Sequence, residues 1–328
     1  MLDLYFFNVG HGDSIAINVD NHWGIIDCNK NSYTTEPNVL KFLRAKNVNK
    51  LQFICVTHPH RDHFYGIDDI INFYGENIEE FWIYGLGTNN KNETDKKSSL
   101  ANGLFLFAKL NKRNNLYKTK LKKININAFF NIGSARVRFF NPTNELLEDI
   151  RMQSILDTQS SVYNDLSIVM YIEYNGRYIF LPGDIGGDIL LKFCNSVSLN
   201  SNIVKLSHHG SKPNNPIRVL DKLFVLDSKY AIISSGRKYK LPSKDIVKYL
   251  RDELGATVYI TKDLNRPQQS NQVDMNIDLG EKGNSCLEGL LQDLEDDKPE
   301  NININDGYIK ISIDDSGNIF ENIVPHIV

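Results

Sequence analysis

The chain has little cysteine, no long apolar run and a large gap in its histidines. Only four cysteines occur in 328 residues. Cys28, Cys55, Cys194 and Cys286 lie far apart and form no C-x-x-C pair, which argues against a disulfide framework. Cys55 falls inside an apolar run and reads as a small core residue. No apolar stretch approaches the length of a membrane span. The opening Met1-Leu2-Asp3-Leu4-Tyr5-Phe6-Phe7 has an acid and no basic flank, so it does not read as a signal peptide, and a cytoplasmic location without membrane association is expected. Positive charge is not in excess either. A net charge of −3 excludes a protein whose whole surface coats nucleic acid, yet leaves room for a local basic patch. There is no short-period repeat.

The histidines present are concentrated. Of eight, three lie in Thr57-His58-Pro59-His60-Arg61-Asp62-His63, and none occurs between His63 and His208. Imidazole and carboxylate are the ligand types that hold Zn, Mn or Fe. A loop this short cannot wrap all four donors around one ion. The spacing therefore divides them, with His58 and His60 facing one metal and Asp62 and His63 a second. The apolar run 51–56 before the loop reads as a strand and residues 66–74 after it as a helix, which places the cluster on a strand-to-helix connection.

The length suits one large α/β domain or two small ones. Strand-like runs at 4–7, 14–19 and 23–26 form a meander ending at Asp27. Further strands are expected at 81–84, 125–130, 135–140, 166–174, 177–181, 203–206 and 230–233. Asn175-Gly176 is a strong hairpin turn, and a helix over 243–254 has Ser243 at its N-cap and Gly255 beyond its end. β-rich stretches alternate twice with isolated helices, which makes a four-layer αββα sandwich the natural architecture. Between 91 and 123, ten basic residues stand against two acidic ones, a local charge of +8. Residues 281–300 are acidic, at −5. The main domain is expected over 1–270 with a basic insertion at about 85–125. An acidic linker or insertion over 271–305 follows, and a closing hairpin over 306–328 packs back on the main domain.

Three more segments complete the pattern: the glycine-rich Asn8-Val9-Gly10-His11-Gly12-Asp13-Ser14, Leu181-Pro182-Gly183-Asp184, and Ser207-His208-His209-Gly210-Ser211. With the histidine loop, Asp27, Asn164-Asp165-x-Ser167 and Ser234-Ser235-Gly236 leading to Pro242-Ser243, the chain resembles the metallo-β-lactamase fold superfamily. It most resembles the hydrolase domain of ComEC-type competence proteins and its stand-alone relatives. The resemblance implies two divalent ions, Zn or Mn. His58 and His60 would bind the first, Asp62 and His63 the second, with Asp184 bridging them and His209 completing the second site. It makes Asp62, Asp184 and His208 the catalytic residues, with His208 facing a phosphate, and gives Asp27 and Asn164 supporting roles.

The chain departs from the superfamily in having no third histidine for the first metal. Either Asp165 supplies an oxygen ligand or that site is partly water-filled, and more oxygen ligands favour Mn over Zn. His11, where relatives often carry Gln, is either a turn residue or a neighbour of the metals. The expected activity is phosphodiester hydrolysis on DNA by a bridging hydroxide, because two cations acidify a shared water and neutralise phosphoryl oxygens. Lys118, Lys120, Lys122 and Lys123 are expected to attract the polyanion. The alternatives are a hydrolase of a small phosphodiester or ester, and a non-catalytic member of a multi-protein defence or uptake system that binds a protein partner.

Overall fold

The computed structural model describes residues 1–30, 34–84, 120–124, 126, 128–148, 160–236, 238–264 and 307–327. Two sheets carry the chain. The first is built from β1 (Leu2–Phe7), β2 (Ser14–Val19), β3 (His22–Cys28), β4 (Leu51–Cys55), β5 (Ile78–Tyr84), β6 (Lys120–Ile124), β14 (Tyr308–Ile313) and β15 (Ile319–Val324), in the order β15-β14-β1-β2-β3-β4-β5-β6. The second holds β7 (Phe129–Ile132), β8 (Ala135–Asn141), β9 (Val169–Tyr174), β10 (Arg177–Leu181), β11 (Ile203–Lys205), β12 (Tyr230–Ile233) and β13 (Thr257–Ile260), in the order β13-β12-β11-β10-β9-β8-β7.

Both sheets change character midway. Pairing is antiparallel up to β3 and β10, then parallel through β4, β5 and β6 in one sheet and β11, β12 and β13 in the other. A parallel pair needs a crossover, and among the described residues helices supply it. They are α1 (Asn38–Ala45) and α3 (Ile67–Tyr74) in the first half, and α4 (Gly187–Ser196), α5 (Ile217–Leu223) and α6 (Lys244–Lys248) in the second. A single-turn α2 (Arg61–Phe64) lies in the histidine loop.

Side-chain alternation buries the sheets on both faces. In the second sheet Met170, Ile172, Ile179 and Ile232 join the core between the sheets, while Val169, Tyr171, Phe180, Ala231 and Ile233 pack outward on Leu190, Leu220 and Ile246 of the helices. On the outer face of the first sheet, Tyr5 and Phe7 meet Phe42 of α1 at ring-centroid distances of 4.6 and 5.3 Å. Between the sheets, Trp82 stacks on Phe53 at 3.8 Å and meets Phe130 and Phe139 of the second sheet at 5.2 and 5.7 Å. The result is the expected four-layer αββα sandwich.

Several expected elements shift. Residues 160–166 form a 3-10 turn and β9 begins only at Val169, because Asn141 Nδ2 donates to the carbonyls of Asp165 and Ser167 (2.7 and 2.8 Å) and holds that segment off the ladder. The strand expected at 125–130 is two strands, β6 ending at Ile124 and β7 starting at Phe129. Ser243 stands at the N-cap of α6 but makes no side-chain cap bond. The hairpin turn at Asn175-Gly176 has φ of 46° and 71°, the left-handed pair expected of a tight hairpin. β14 and β15 pair onto β1, so the closing hairpin extends the first sheet. Cys28, Cys55 and Cys194 are buried free thiols. Residues 85–119, most of the basic stretch, and the acidic stretch 281–300 lie outside the described residues. Among the described residues no helix is long and apolar enough to cross a membrane.

Trp82 is fully buried at the contact of the two sheets. Trp82→Ala should therefore cost about 3–5 kcal/mol of unfolding free energy, read by urea denaturation.

Candidate metal centre

The carboxyl ends of β3 and β4 in one sheet meet those of β10 and β11 in the other. Open α/β sheets bind ligands outside such strand ends, near the point where the strand pattern changes. Asp27 lies on β3, His58 to His63 follow β4, Asp184 follows β10, and His208-His209 follow β11. The glycine-rich turn after β1 closes on the histidine loop. The Asp13 amide donates to the Asp62 carbonyl at 3.0 Å, and the Asn29 amide donates to the Asp13 carbonyl at 2.8 Å. Gly12 has φ of +127°, and a Cβ there would lie 2.4 Å from the Asp62 carbonyl oxygen, so only glycine fits.

The second histidine loop is bent by three successive left-handed residues, His208, His209 and Gly210, with φ of 46°, 54° and 80°. Such conformations are unfavourable for residues with a Cβ and persist where the surroundings over-determine them. Here the buried Asn215 does so. Its Nδ2 donates to the carbonyls of Ser207 (2.8 Å) and Ser211 (2.7 Å), and its Oδ1 accepts the Ser207 amide at 3.0 Å.

Hydrogen bonds at Nδ1 orient three buried imidazoles. His63 Nδ1 donates to Asp27 Oδ2 at 2.7 Å, and His209 Nδ1 donates to the Ser234 carbonyl at 2.8 Å. Asp27 also accepts the Thr57 amide and hydroxyl, both at 2.7 Å. The Thr57 hydroxyl proton is thereby committed, so its oxygen accepts from His58 Nδ1 at 3.1 Å. Ser167 Oγ, which accepts the Asp184 amide at 3.0 Å, lies 3.3 Å from the same nitrogen. In each ring Nε2 is left over. Nε2 of His58, His63 and His209 is buried without a hydrogen bond, and so is Asp184 Oδ1. A donor fixed at Nδ1 with a bare Nε2 is how ligand histidines are presented to metals.

These atoms converge. Asp184 Oδ2 lies 3.2 Å from His63 Nε2 and 3.3 Å from His209 Nε2, and Asp62 Oδ2 is 3.3 Å from His209 Nε2. Ligand atoms of Asp62, His63, Asp184 and His209 all lie within 4.8 Å of one another. The donor set fits a divalent cation. Without one, protons hold the cluster together. Burial works against the charged form of His209, but Asp184, Asp62 and Asp13 outweigh it and push its pKa up to about 10. His63 is raised in the same way by Asp184 and Asp27 against the effect of burial. Burial would raise Asp62, but the adjacent His209, 3.3 Å away, and the charge of His63 hold it well below the usual carboxylate range. His58, buried beside the His63 charge, is pushed well down and stays neutral.

The other expected residues fall into two groups. His60 lies beside His58, ring centroids 4.7 Å apart. His208 is partly exposed, its Nε2 4.0 Å from Asp184 Oδ2 and its Nδ1 held by Asn214 Oδ1 at 3.2 Å. Asp165 turns a carboxylate oxygen to the Gly186 amide (3.0 Å), which fixes the loop after Asp184. Asn164 Oδ1 is buried without a partner, and its carbonyl accepts the Ser167 amide. Lys118 lies outside the described residues, as does the side chain of Lys123. Lys120 is exposed on β6, and Lys122 pairs with Glu80 at 2.8 Å and lies over the Phe130 ring, two strands away from β4.

Sequence reasoning left three contributors without a settled role. Asp13 is buried below His63 and His209. His11 lies 3.4 Å from Asp62 Oδ2, its pKa lowered to about 4 by burial and the His209 charge. Lys205 is a fully buried lysine paired with Asp13. A signal for Lys205 was available, because it shares strand parity with the core residue Ile203 and so points inward.

No protein-family model matches the chain, and no curated protein matches it. Solved structures resemble it at low identity. CmlA, a diiron β-hydroxylase from Streptomyces venezuelae, is 12% identical with a TM-score of 0.48, over 78% of this chain and 52% of CmlA, so the chain spans about half that protein's length. Igni18, a metallo hydrolase from the archaeon Ignicoccus hospitalis, is 14% identical (TM-score 0.46) over 79% of this chain and 94% of its own. The metallo-β-lactamase fold protein YhfI from Bacillus subtilis is 13% identical (TM-score 0.40) over 79% of this chain and 85% of its own. The chemistry of the site therefore rests on its own residues.

Two outcomes follow from the geometry. Asp27→Ala removes the acceptor that fixes His63 and Thr57, and should weaken metal affinity by roughly 10–100-fold in a chelator competition. His209, raised from 6.5 to about 10, stabilises the metal-free fold fully below about 6.5 and loses that contribution as pH rises to about 10. The melting temperature of metal-free protein should fall across that window. Because a metal must displace the proton, added metal should restore stability most at the alkaline end and release protons measurable by calorimetry in different buffers.

Proposed function

We propose that the chain is a dinuclear metal-dependent hydrolase that cleaves phosphodiester bonds, with a nucleic-acid strand as substrate. The observation that carries this reading is the set of three buried, pre-oriented Nε2 atoms of His58, His63 and His209, the last two facing the carboxylate of Asp184. Asp62, His63 and His209 would hold one ion and His58 and His60 the other, with Asp184 between them. The order of motifs resembling the metallo-β-lactamase superfamily, and its ComEC-type branch in particular, supports the same assignment. One imidazole fewer than the superfamily's usual complement favours Mn²⁺ over Zn²⁺ at the His58–His60 position.

When bound, such an ion pair supplies Lewis acidity that acidifies water and neutralises charge on phosphoryl oxygens. The protein's own groups do the positioning. Asp27, Thr57 and Ser234 hold the ligand rings, and the buried loops keep bulk water from the donors. His208 is partly exposed and turned toward Asp184, with Nδ1 fixed by Asn214, so its Nε2 can hold or pass the proton that the leaving oxygen needs.

A nucleic acid is favoured over a small ester by the rim. Tyr239 is 73% exposed and stands edge-on to His11 at 5.0 Å, and the His11 ring lies 4.3 Å from His209. An exposed aromatic beside the site offers a surface on which a base can stack.

The test offers purified protein, with Mn²⁺, Zn²⁺ or Mg²⁺, labelled single-stranded DNA, duplex DNA and bis-p-nitrophenyl phosphate. Cleavage of DNA is expected, with His208→Ala lowering kcat by roughly 10²–10⁴-fold and Tyr239→Ala slowing single-strand cleavage by about tenfold. Cleavage of the small diester alone would sink the nucleic-acid reading. Two bound metals with no cleavage of anything would favour a partner-binding protein.

A further inference from the structure

A second group of metal-type donors lies beneath the first. Ligand atoms of Asp13, Asp27 and His63 are within 4.8 Å of one another, and all three residues are buried. This deeper group shares His63 with the outer one, through the opposite ring nitrogen. His63 Nδ1 is 2.7 Å from Asp27 Oδ2 and 3.7 Å from Asp13 Oδ2. Asp13 Oδ1 is buried without a hydrogen bond, 3.9 Å from His209 Nδ1. Two buried carboxylates at such a spacing are costly unless a cation neutralises them, and a divalent ion drawn to them would compete for the nitrogen that orients His63.

Lys205 already supplies that cation. Its side chain is 1% exposed and its ammonium sits on Asp13 Oδ2, 3.4 Å from the Gly183 carbonyl and 3.8 Å from Asp184 Oδ1. β11 delivers it there because Lys205 falls on the same inward face as Ile203. We propose that the Lys205 ammonium is a built-in cation that fills the deep carboxylate group and confines divalent ions to the outer one. An ammonium is a compact point charge on a tethered stem, so it neutralises Asp13 without competing as a ligand for His63 or His209. It also holds Asp184 from the inner side, which leaves Oδ2 turned to the imidazoles. This inference rests on the metal-centre reading above.

The experiment is Mn²⁺ uptake per chain, measured by equilibrium dialysis and metal analysis on the unsubstituted protein, Lys205→Ala and Lys205→Ala/Asp13→Asn. Lys205→Ala vacates the ammonium's volume and should bind one Mn²⁺ more per chain than the unsubstituted protein. The double variant should lose that extra ion. If Lys205→Ala needs added Mn²⁺ to fold, as circular dichroism would show, the deep group is taking the ion as proposed. Equal uptake in Lys205→Ala and the unsubstituted chain overturns the inference alone. So does failure of Lys205→Ala to fold in saturating Mn²⁺, whatever the double variant does. If the unsubstituted chain takes up no Mn²⁺ at all, the metal-centre reading falls and the inference falls with it.

Discussion

Four carboxylates, Asp13, Asp27, Asp62 and Asp184, meet where the two sheets open, and three of them are almost wholly buried. Negative charge that dense cannot stand in a protein interior unless cations meet it. The surrounding structure answers that demand at each point. Lys205 meets Asp13, His63 meets Asp27, and His63 and His209 together meet Asp184. In the metal-free molecule the imidazoles carry protons to do this. Under the proposed reading, Nε2 of His63 and of His209 would become ligands once a divalent ion supplied the charge in their place.

The fold makes this concentration possible by symmetry of plan. Each sheet runs antiparallel, then parallel, and each places its donors on the connections that leave the strands at that change. The crossover helices and the packing around Trp82 hold the two sheets at a fixed separation, so donors from four strand ends meet in one place. At Asp27, His208 and His209 the backbone takes left-handed conformations that are unfavourable for residues with a Cβ, and there a side chain is aimed at the centre. Asn215 holds the loop that carries His208 and His209.

Much of the plan was readable in the sequence because it is written in local patterns. Alternation and the Asn175-Gly176 turn marked the strands, and the clustering of His58, His60, Asp62 and His63 marked the loop. The structure also brings Asp184 and His209 to Asp62 and His63 from more than a hundred residues away. What local pattern could not convey was the contact across the two sheets. Lys205 looked like one polar residue in a strand, because its partner Asp13 lies in a turn near the start of the chain. Asp165 gives one carboxylate oxygen to the Gly186 amide, a contact set by how two loops pass each other. Lys122 belonged on paper to a basic stretch, but the register of β6 against β5 gives it Glu80 as a partner.

The central claim is that this convergence of buried donors is a two-ion centre. Anomalous X-ray diffraction from crystals soaked in Mn²⁺ tests it most directly. The account predicts two peaks, one within bonding reach of Asp62, His63 and His209 and the other of His58 and His60, both bordering Asp184. No peak among these residues, or a single peak lying away from Asp184, would contradict it.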